Sequence, residues 1–378
     1  MTAPCELSRN QNLPMTAFID TNAIEWTDSL RAQAFSDWLA IQASAHALIP
    51  ASLRLASSDA SFRRYFRLDT TGGAAPSRIV MDAPPDKEDC EAFAKVAGLL
   101  QDCGLHAPRV LAWDKAHGFM LLSDLGAQTM MELIGPPANV DAIALPTAAT
   151  EAMYAQATDA LVQWQLASKP GVLPLYDDAL LSRELSLLPE WYVARHRQIV
   201  LTAAQQMTLD DAFKLIKTSN LQSLDGARVF VHRDFMARNL MVANGQLGVL
   251  DFQDAVYGPI TYDIASLMRD AFLTWEEDFV LDVTVRYWQK ARAAGLPVGA
   301  DFGEFYRAVE WMGLQRHIKI LGIFARLTLR DEKPRYLADA PRFIKYVRAT
   351  CARYRQLGPL MVLLDEIEGN ETRVGYTF

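Results

Sequence analysis

Val229-Phe230-Val231-His232-Arg233-Asp234-Phe235-Met236-Ala237-Arg238-Asn239-Leu240-Met241-Val242-Ala243-Asn244-Gly245-Gln246-Leu247-Gly248-Val249-Leu250-Asp251-Phe252-Gln253 is the stretch on which the reading of the whole chain turns. A short apolar run, Val229 to Val231, leads into the polar loop His232-Arg233-Asp234, and Asn239 follows Asp234 by five residues. Two further apolar runs, Leu240 to Val242 and Leu247 to Leu250, flank Asn244-Gly245. An Asn-Gly pair supplies the positive φ values of a tight type I′ turn, which predicts a β-hairpin. The second strand of that hairpin carries Asp251 back beside Asn239. One carboxylate and one amide oxygen then face a common point, with Asp234 at the mouth of the loop.

That arrangement has a chemical use. A hard cation such as Mg²⁺ takes oxygen ligands, one or two from protein and the rest from phosphates and water. Asn239 and Asp251 fit as the metal ligands, which leaves Asp234 to accept a proton from an attacking hydroxyl. The H-R-D-x-x-x-x-N spacing with a metal-binding Asp after it is that of the protein-kinase catalytic loop. Each residue alone has a plain structural reading, an Asp satisfied by turn amides or an Asn on the surface. Loop, Asn, hairpin and Asp in order are far more specific than any one of them.

The rest of the composition narrows the class. The chain has 378 residues, room for one large two-lobed fold or two domains. Half of it is apolar and 22% charged, as in ordinary globular proteins. A formal net charge of −8 argues against nucleic acid or an anionic membrane as partner. Cys5, Cys90, Cys103 and Cys351 form no CxxC pair and no metal-type cluster, which fits a reducing compartment. The N-terminus carries no signal-type apolar run, and no run reaches membrane-spanning length, so a cytoplasmic location is expected.

In chain order, residues 1 to about 15 read as a loose leader and Thr27 to Gln42 as a helix with Leu30, Phe35, Trp38 and Leu39 near one face. Ser57 to Ser61 is a small polar turn before a strand from Phe62 to Leu68. There Phe62, Phe66 and Leu68 share one face, and Arg63, Tyr65 and Arg67 the other. A turn of small residues between strands can lay backbone N–H groups over phosphates. After Gly72-Gly73 comes a strand, Arg78 to Asp82, then a helix from an Asp86 cap to Asp102, then strands Arg109 to Trp113 and Phe119 to Ser123. Pro136-Pro137 to Thr150 reads as loop. Helices follow at Glu151–Ser168, Asp178–Arg197, bent or interrupted at Pro189, Leu209–Leu224, Tyr262–Phe272, Glu276–Ala294, Gly303–Arg326 and Pro341–Leu357. The expectation is an α+β fold: a small antiparallel sheet with one long helix, then a larger helical part.

The strand-rich first third, the His232-Arg233-Asp234…Asn239 loop, the Asp251 hairpin and Gly258-Pro259…Asp263-Ile264-Ala265 resemble the aminoglycoside phosphotransferase/choline kinase superfamily. Four stretches resemble more narrowly the bacterial anomeric N-acetylmuramate/N-acetylglucosamine kinases: Asp59 to Arg67, Met81 to Pro85, Leu250 to Pro259, and Leu314 to Lys319. The resemblance implies a protein-kinase-like two-lobed fold, with residues 1–126 as nucleotide-binding N-lobe and 127–378 as C-lobe with catalytic loop and acceptor site. It implies transfer of the γ-phosphate of ATP or GTP, ATP being the expected cofactor, with Mg²⁺, to the anomeric hydroxyl of an amino sugar, in cell-wall recycling. Asp234 is then the base and Asn239 and Asp251 the metal ligands. Ser61, Phe62 and Arg63 lie over the nucleotide, and Ser123, Asp124 and Leu125 form the hinge that meets the base. Asp254, Tyr257 and Arg316 are candidates for the sugar, whose lactyl carboxylate wants a cation. Trp275, Trp311 and His317 are weaker candidates, with core packing the expected fate of the tryptophans. His232 is expected to brace the loop through backbone or Asp263.

One departure stands out. Kinase-like folds place a Lys on the third strand, paired with a helix Glu, to hold the α- and β-phosphates. Here that strand ends Val80-Met81-Asp82, and Glu91 would be a Glu without its partner. Arg63, Arg67 or Arg78 would have to supply the charge. Two other readings stay open: a kinase for another small molecule, such as an aminoglycoside or choline, and a nucleotide-binding protein without catalysis.

Overall fold

The structure, a computed structural model, describes Ile24, Trp26 and residues 28–58, 62–72, 76–135 and 142–370. The leader, Thr27, Ser61, Gly73 and Pro136-Pro137 lie outside the described residues.

Alternation of side chains builds the first layer. Strands β1 (Arg54–Ser58), β2 (Arg64–Asp69), β3 (Ser77–Asp82), β4 (Val110–Asp114) and β5 (Phe119–Ser123) make one antiparallel sheet in the order β1-β2-β3-β5-β4. Phe66, Leu68, Val80, Phe119 and Leu121 point to its outer face, where helix α1 (Ser29–His46) covers them with Phe35, Trp38 and Leu39. Tyr65, Ile79, Met81, Met120 and Leu122 point to the inner face, toward helix α2 (Cys90–Asp102) and the main core. Phe62 does not join Phe66 and Leu68 as expected. It precedes β2 and is 62% exposed, because the strand begins only at Arg64. Likewise α2 starts at Cys90, since Asp89 rather than Asp86 accepts the first-turn N–H groups of Glu91 and Ala92 at 2.9 and 3.1 Å.

The remainder is mostly helical: α3 (Met130–Ile134), α4 (Ala148–Leu166), α5 (Asp178–Leu187), α6 (Ala203–Gln222), α7 (Tyr262–Met268), α8 (Glu277–Ala293), α9 (Phe302–Leu329), α10 (Ala340–Arg353) and α11 (Gly358–Glu368). Four short strands interrupt it: β6 (Arg228–Val231), β7 (Leu240–Ala243), β8 (Gln246–Val249) and β9 (Val256–Pro259). Thr147 caps α4, so that helix begins inside the stretch expected as loop. The irregularity expected at Pro189 takes the form of a change of helix type: α5 runs on into a π-helical segment, Leu188–His196, whose wider turn accommodates the missing N–H. The last expected helix ends at Arg353, and α11 follows with Gly358-Pro359 at its start, where a proline suits a first turn. The pairing of β6 with β9 was also not foreseen. Among the described residues no helix is long and apolar enough to cross a membrane.

Candidate active site

The hairpin β7–β8 forms as its sequence requires. Asn244 and Gly245 both have positive φ, 53° and 75°, and the ladder runs from Leu240 opposite Val249 to Ala243 opposite Gln246. Leu250 N–H donates to the Asn239 carbonyl at 2.9 Å, which draws the end of the hairpin onto the catalytic loop. Asn239 is 8% exposed, and its Nδ2 donates to the Asp234 carbonyl at 2.9 Å and to Asp251 Oδ2 at 3.3 Å. The three residues read from the sequence as one site are thus tied together by a single amide. With Nδ2 committed, Oδ1 of Asn239 is the atom that would meet a cation. The exposed Asp251 carboxylate also accepts from Gln253 Nε2 at 2.9 Å. Among the described residues no group of three or more His, Cys, Asp or Glu could hold a metal. An oxygen pair such as Asn239 and Asp251 fits a hard cation whose remaining ligands are phosphate and water.

The loop is held in a strained form. Arg233 and Asp251 have φ of 77° and 61°, a region that non-glycine residues enter only where their surroundings fix them. Asp263, at the start of α7, accepts the His232 and Arg233 N–H groups at 2.7 and 2.9 Å. The Arg233 carbonyl accepts from Arg316. Burial lowers the His232 imidazole to about 4, so the ring is neutral. Its Nε2 donates to the Leu250 carbonyl at 2.9 Å, and Nδ1 accepts from Asp234 N–H at 3.3 Å. The His232 ring thus braces the loop through backbone groups, while Asp263 is met by the His232 N–H and not by the ring.

Beneath the loop lies a buried ionic group. Glu184 of α5, 5% exposed, binds the Arg233 guanidinium, the Tyr176 hydroxyl at 2.7 Å and Gln315 Nε2 at 2.8 Å, with Lys319 Nζ at 3.4 Å. Burial alone would raise Glu184, but Lys319 and Arg233 outweigh it and hold the carboxyl at about 2. Burial also acts to raise Asp234, and again Lys319, Arg316 and Arg233 prevail and keep it below the usual carboxylate range. Arg316 Nη2 stands 3.8 Å from Asp234 Oδ1. Arg316 is 1% exposed, so it faces Asp234 from inside the C-terminal region. Asp254 is exposed, and its carbonyl accepts from Arg233 at 3.4 Å. Tyr257 is half-buried on β9, its backbone paired with Pro174 and Tyr176. Trp275, Trp311 and His317 are buried, at 5%, 0% and 2% exposure, and pack in the core.

On the opposite side, Ser123 closes β5 and accepts the Arg109 N–H on its hydroxyl at 2.9 Å. The Asp124 carboxylate is held by Arg67 at 2.6 and 3.0 Å and by Ser77 at 2.7 Å. Leu125 is buried against Gly248, where a Cβ would come within 2.9 Å of Leu125 Cδ1. Leu125 therefore packs directly on the β7–β8 hairpin. Arg63, 6% exposed, is paired with Glu88 at 2.8 Å, and the Phe62 N–H donates to the same carboxylate at 3.0 Å. Glu91, read from the sequence as the helix Glu whose lysine partner is absent, sits on the surface with Lys115, because it falls on the exposed side of α2. Glu88, Glu184 and Lys319 were missed as individual residues. A lone acid in a loop or on a helix gives no local signal, and Lys319 was visible only as the end of a resembling stretch.

An ionised carboxylate beside an Asn–Asp pair, with an antiparallel sheet packed on a mostly helical region, is the arrangement of a kinase-like phosphotransferase. Residues 52–301 match the phosphotransferase enzyme family, and the chain belongs to it. The N-acetylmuramate/N-acetylglucosamine kinase of Pseudomonas aeruginosa is 49% identical over 321 residues, covering 84% of this chain and 89% of the relative. That of Neisseria meningitidis serogroup B is 46% identical over 335 residues, 86% of this chain and 94% of the relative. Choline kinase from Cryptosporidium parvum superimposes with a TM-score of 0.59 at 12% identity, covering 87% of this chain and 99% of that one. The gentamicin complex of APH(2")-IIa does so with a TM-score of 0.58 at 15% identity, over 85% and 97%. These two likenesses establish the kinase-like fold.

Proposed function

We propose that the protein is an ATP-dependent sugar kinase that phosphorylates the anomeric hydroxyl of N-acetylmuramate or N-acetylglucosamine to the 1-phosphate, in cell-wall recycling. The observation that carries this reading is the near-half identity, over most of both chains, to two kinases of that name. The catalytic loop supports it with an ionised carboxylate and two oxygen ligands bound to one another. The nucleotide lies between residues 1–126 and 127–378, with its base against Ser123, Asp124 and Leu125 and its phosphates under Phe62 and Arg63. Ser61 belongs to the same reading from sequence alone.

Asn239 and Asp251 would hold Mg²⁺, which would supply positive charge against the phosphate oxygens. Asp234 orients the anomeric hydroxyl and takes its proton as the new O–P bond forms and the bond to the β-phosphate oxygen breaks. An anomeric hydroxyl is more acidic than an ordinary alcohol, which eases the demand on Asp234. Little covalent chemistry is asked of the protein, so positioning and electrostatics supply most of the rate. Asp254 and Tyr257 are candidates to meet the sugar, while Lys319, Arg316 and Arg233 together hold Asp234 below the usual carboxylate range against its burial. ATP is supplied in the cytoplasm, where we place the enzyme.

Incubation with ATP, Mg²⁺ and a panel of acceptors, read by phosphorus NMR, tests the assignment. The expected result is a sugar 1-phosphate from N-acetylmuramate and N-acetylglucosamine. Phosphate only on choline or an aminoglycoside, or none on any acceptor, overturns it.

A further inference from the structure

The third strand offers no lysine to the nucleotide, and the structure narrows what replaces it. The inner face of the sheet, opposite α1, is the one that looks toward the hairpin and Asp251. On β3 that face presents Ile79 and Met81, both uncharged, with Met81 directly opposite Tyr65. The charge must come from elsewhere. Arg78 shares its side of β3 with Val80, which packs under α1, so it points to the outer face. Arg64 also lies outward, on Asp82 and beneath the Trp26 ring at 4.1 Å. Arg67 is on the inner face but spans Asp124 and the Gly126 carbonyl at 2.6 Å, so it builds the hinge. Arg54 pairs with Asp69, and both are well exposed.

Arg63 meets every condition. It stands just ahead of β2, the neighbour of the strand that lacks the lysine, and its side chain hydrogen-bonds Tyr65 of the inner face. It is buried, and it forms a 2.8 Å ion pair with Glu88, the acid just before α2. Glu88 also accepts the Phe62 N–H at 3.0 Å, so one carboxylate fixes both the guanidinium and the backbone that carries it. Tyr65 connects this pair to the catalytic region. Burial pushes its hydroxyl well up, Arg63 acts to lower it, and Asp251 to raise it further, so all three share one neighbourhood.

Resting on the kinase reading above, we infer that Arg63, held in place by Glu88, is the residue that grips the α- and β-phosphates of the nucleotide, taking over from the approach to β2 the role that kinase-like folds give to a third-strand lysine. A guanidinium has five N–H donors in a rigid fork, enough to serve a carboxylate and a diphosphate oxygen together. Glu88 is the positioning residue of the pair.

The test needs no sugar. Dissociation constants for ADP and for adenosine are measured by calorimetry on the full chain and on Arg63→Met. Loss of charge-assisted hydrogen bonds to the diphosphate weakens ADP by about tenfold or more. Adenosine, which has no phosphate, keeps its affinity. A merely structural arginine would weaken both alike. Arg63→Met leaves Glu88 charged and largely buried; if that prevents folding, Arg63→Met/Glu88→Gln removes both charges and carries the same readout. An unchanged ADP affinity, or equal loss for ADP and adenosine, in the variant that folds overturns the inference. Failure of the sugar assignment would leave the ADP-to-adenosine difference intact, so the two outcomes are separable.

Discussion

Replacing Asp234 by Asn removes the proton acceptor while preserving the carbonyl that Asn239 holds at 2.9 Å. General-base catalysis of this kind is worth about 10²–10⁴ in rate, so turnover should fall by that factor with nucleotide affinity unchanged. Steady-state kinetics with a separate ADP titration would check it; near-normal turnover would remove Asp234 from the role. Glu184 makes a different prediction. Its carboxyl is held at about 2 against an ordinary 4.5. A group with a lowered folded pKa contributes stability that is complete above its unfolded pKa and lost as pH falls through the folded value. Glu184 should therefore contribute up to roughly 3 kcal/mol at neutral pH, lost between about pH 4.5 and 2. Glu184→Gln leaves Arg233 and Lys319 buried without their anion and should cost about 3–5 kcal/mol at pH 7. Urea unfolding at pH 7 and pH 3 should show the gap between variant and parent narrowing with acid. A gap that stays constant would mean Glu184 acts by packing alone.

At the scale of elements, α9 is the spine of the helical region, and Gly322 is where it touches the junction of α5 with the π-helical segment. A Cβ at Gly322 would lie 2.4 Å from the Leu187 carbonyl carbon and 2.6 Å from its oxygen, contacts with backbone that cannot swing away. Inside an exposed helix, Gly→Ala gains about 1 kcal/mol. Gly322→Ala should instead cost roughly 1–3 kcal/mol, whereas Gly98→Ala in α2, with nothing within 4 Å of its added Cβ, should be stabilising. Thermal melts of the two variants should move in opposite directions. Elements with a strong local signal were legible beforehand. Asn244-Gly245 specified its turn, alternation at Phe66, Leu68 and Val80 specified the sheet, and the order Asp234, Asn239, Asp251 specified the catalytic loop. What escaped depends on contacts distant in sequence. The pairing of β6 with β9, the clasp of Glu184 on Arg233 and the choice of Glu88 over Glu91 are all settled by tertiary packing. The π-helical turn at Pro189 escaped because a proline reads locally as a break, and only packing against α9 keeps the helix going.

Across the whole molecule, the sheet is buried on both faces, and the family match begins at residue 52, so α1 lies outside it. Without α1, the outward Phe66, Leu68, Val80, Phe119 and Leu121 would be open to water. Phe35 is the centre of the cover: it is 4% exposed, and its ring lies 5.0 Å from Trp26, 5.8 Å from Phe66 and 5.3 Å from Phe119. Arg31 adds a polar tie, meeting Arg64 on the buried Asp82 and donating to the His117 carbonyl at 2.8 Å. A change in α1 should thus reach the nucleotide without touching it, because β2 follows directly on Arg63 and carries Tyr65 on the inner face and Phe66 and Leu68 on the outer. Phe35→Ala should cost about 3–5 kcal/mol. It should also weaken ADP and adenosine together, since a loosened sheet displaces the whole N-terminal side of the cleft. Calorimetric titration of both ligands, with a denaturant curve on the same sample, distinguishes this from the phosphate-selective loss expected at Arg63. If Phe35→Ala unfolds at the parent's denaturant concentration and binds both ligands as before, α1 is an ornament on a sheet that stands without it.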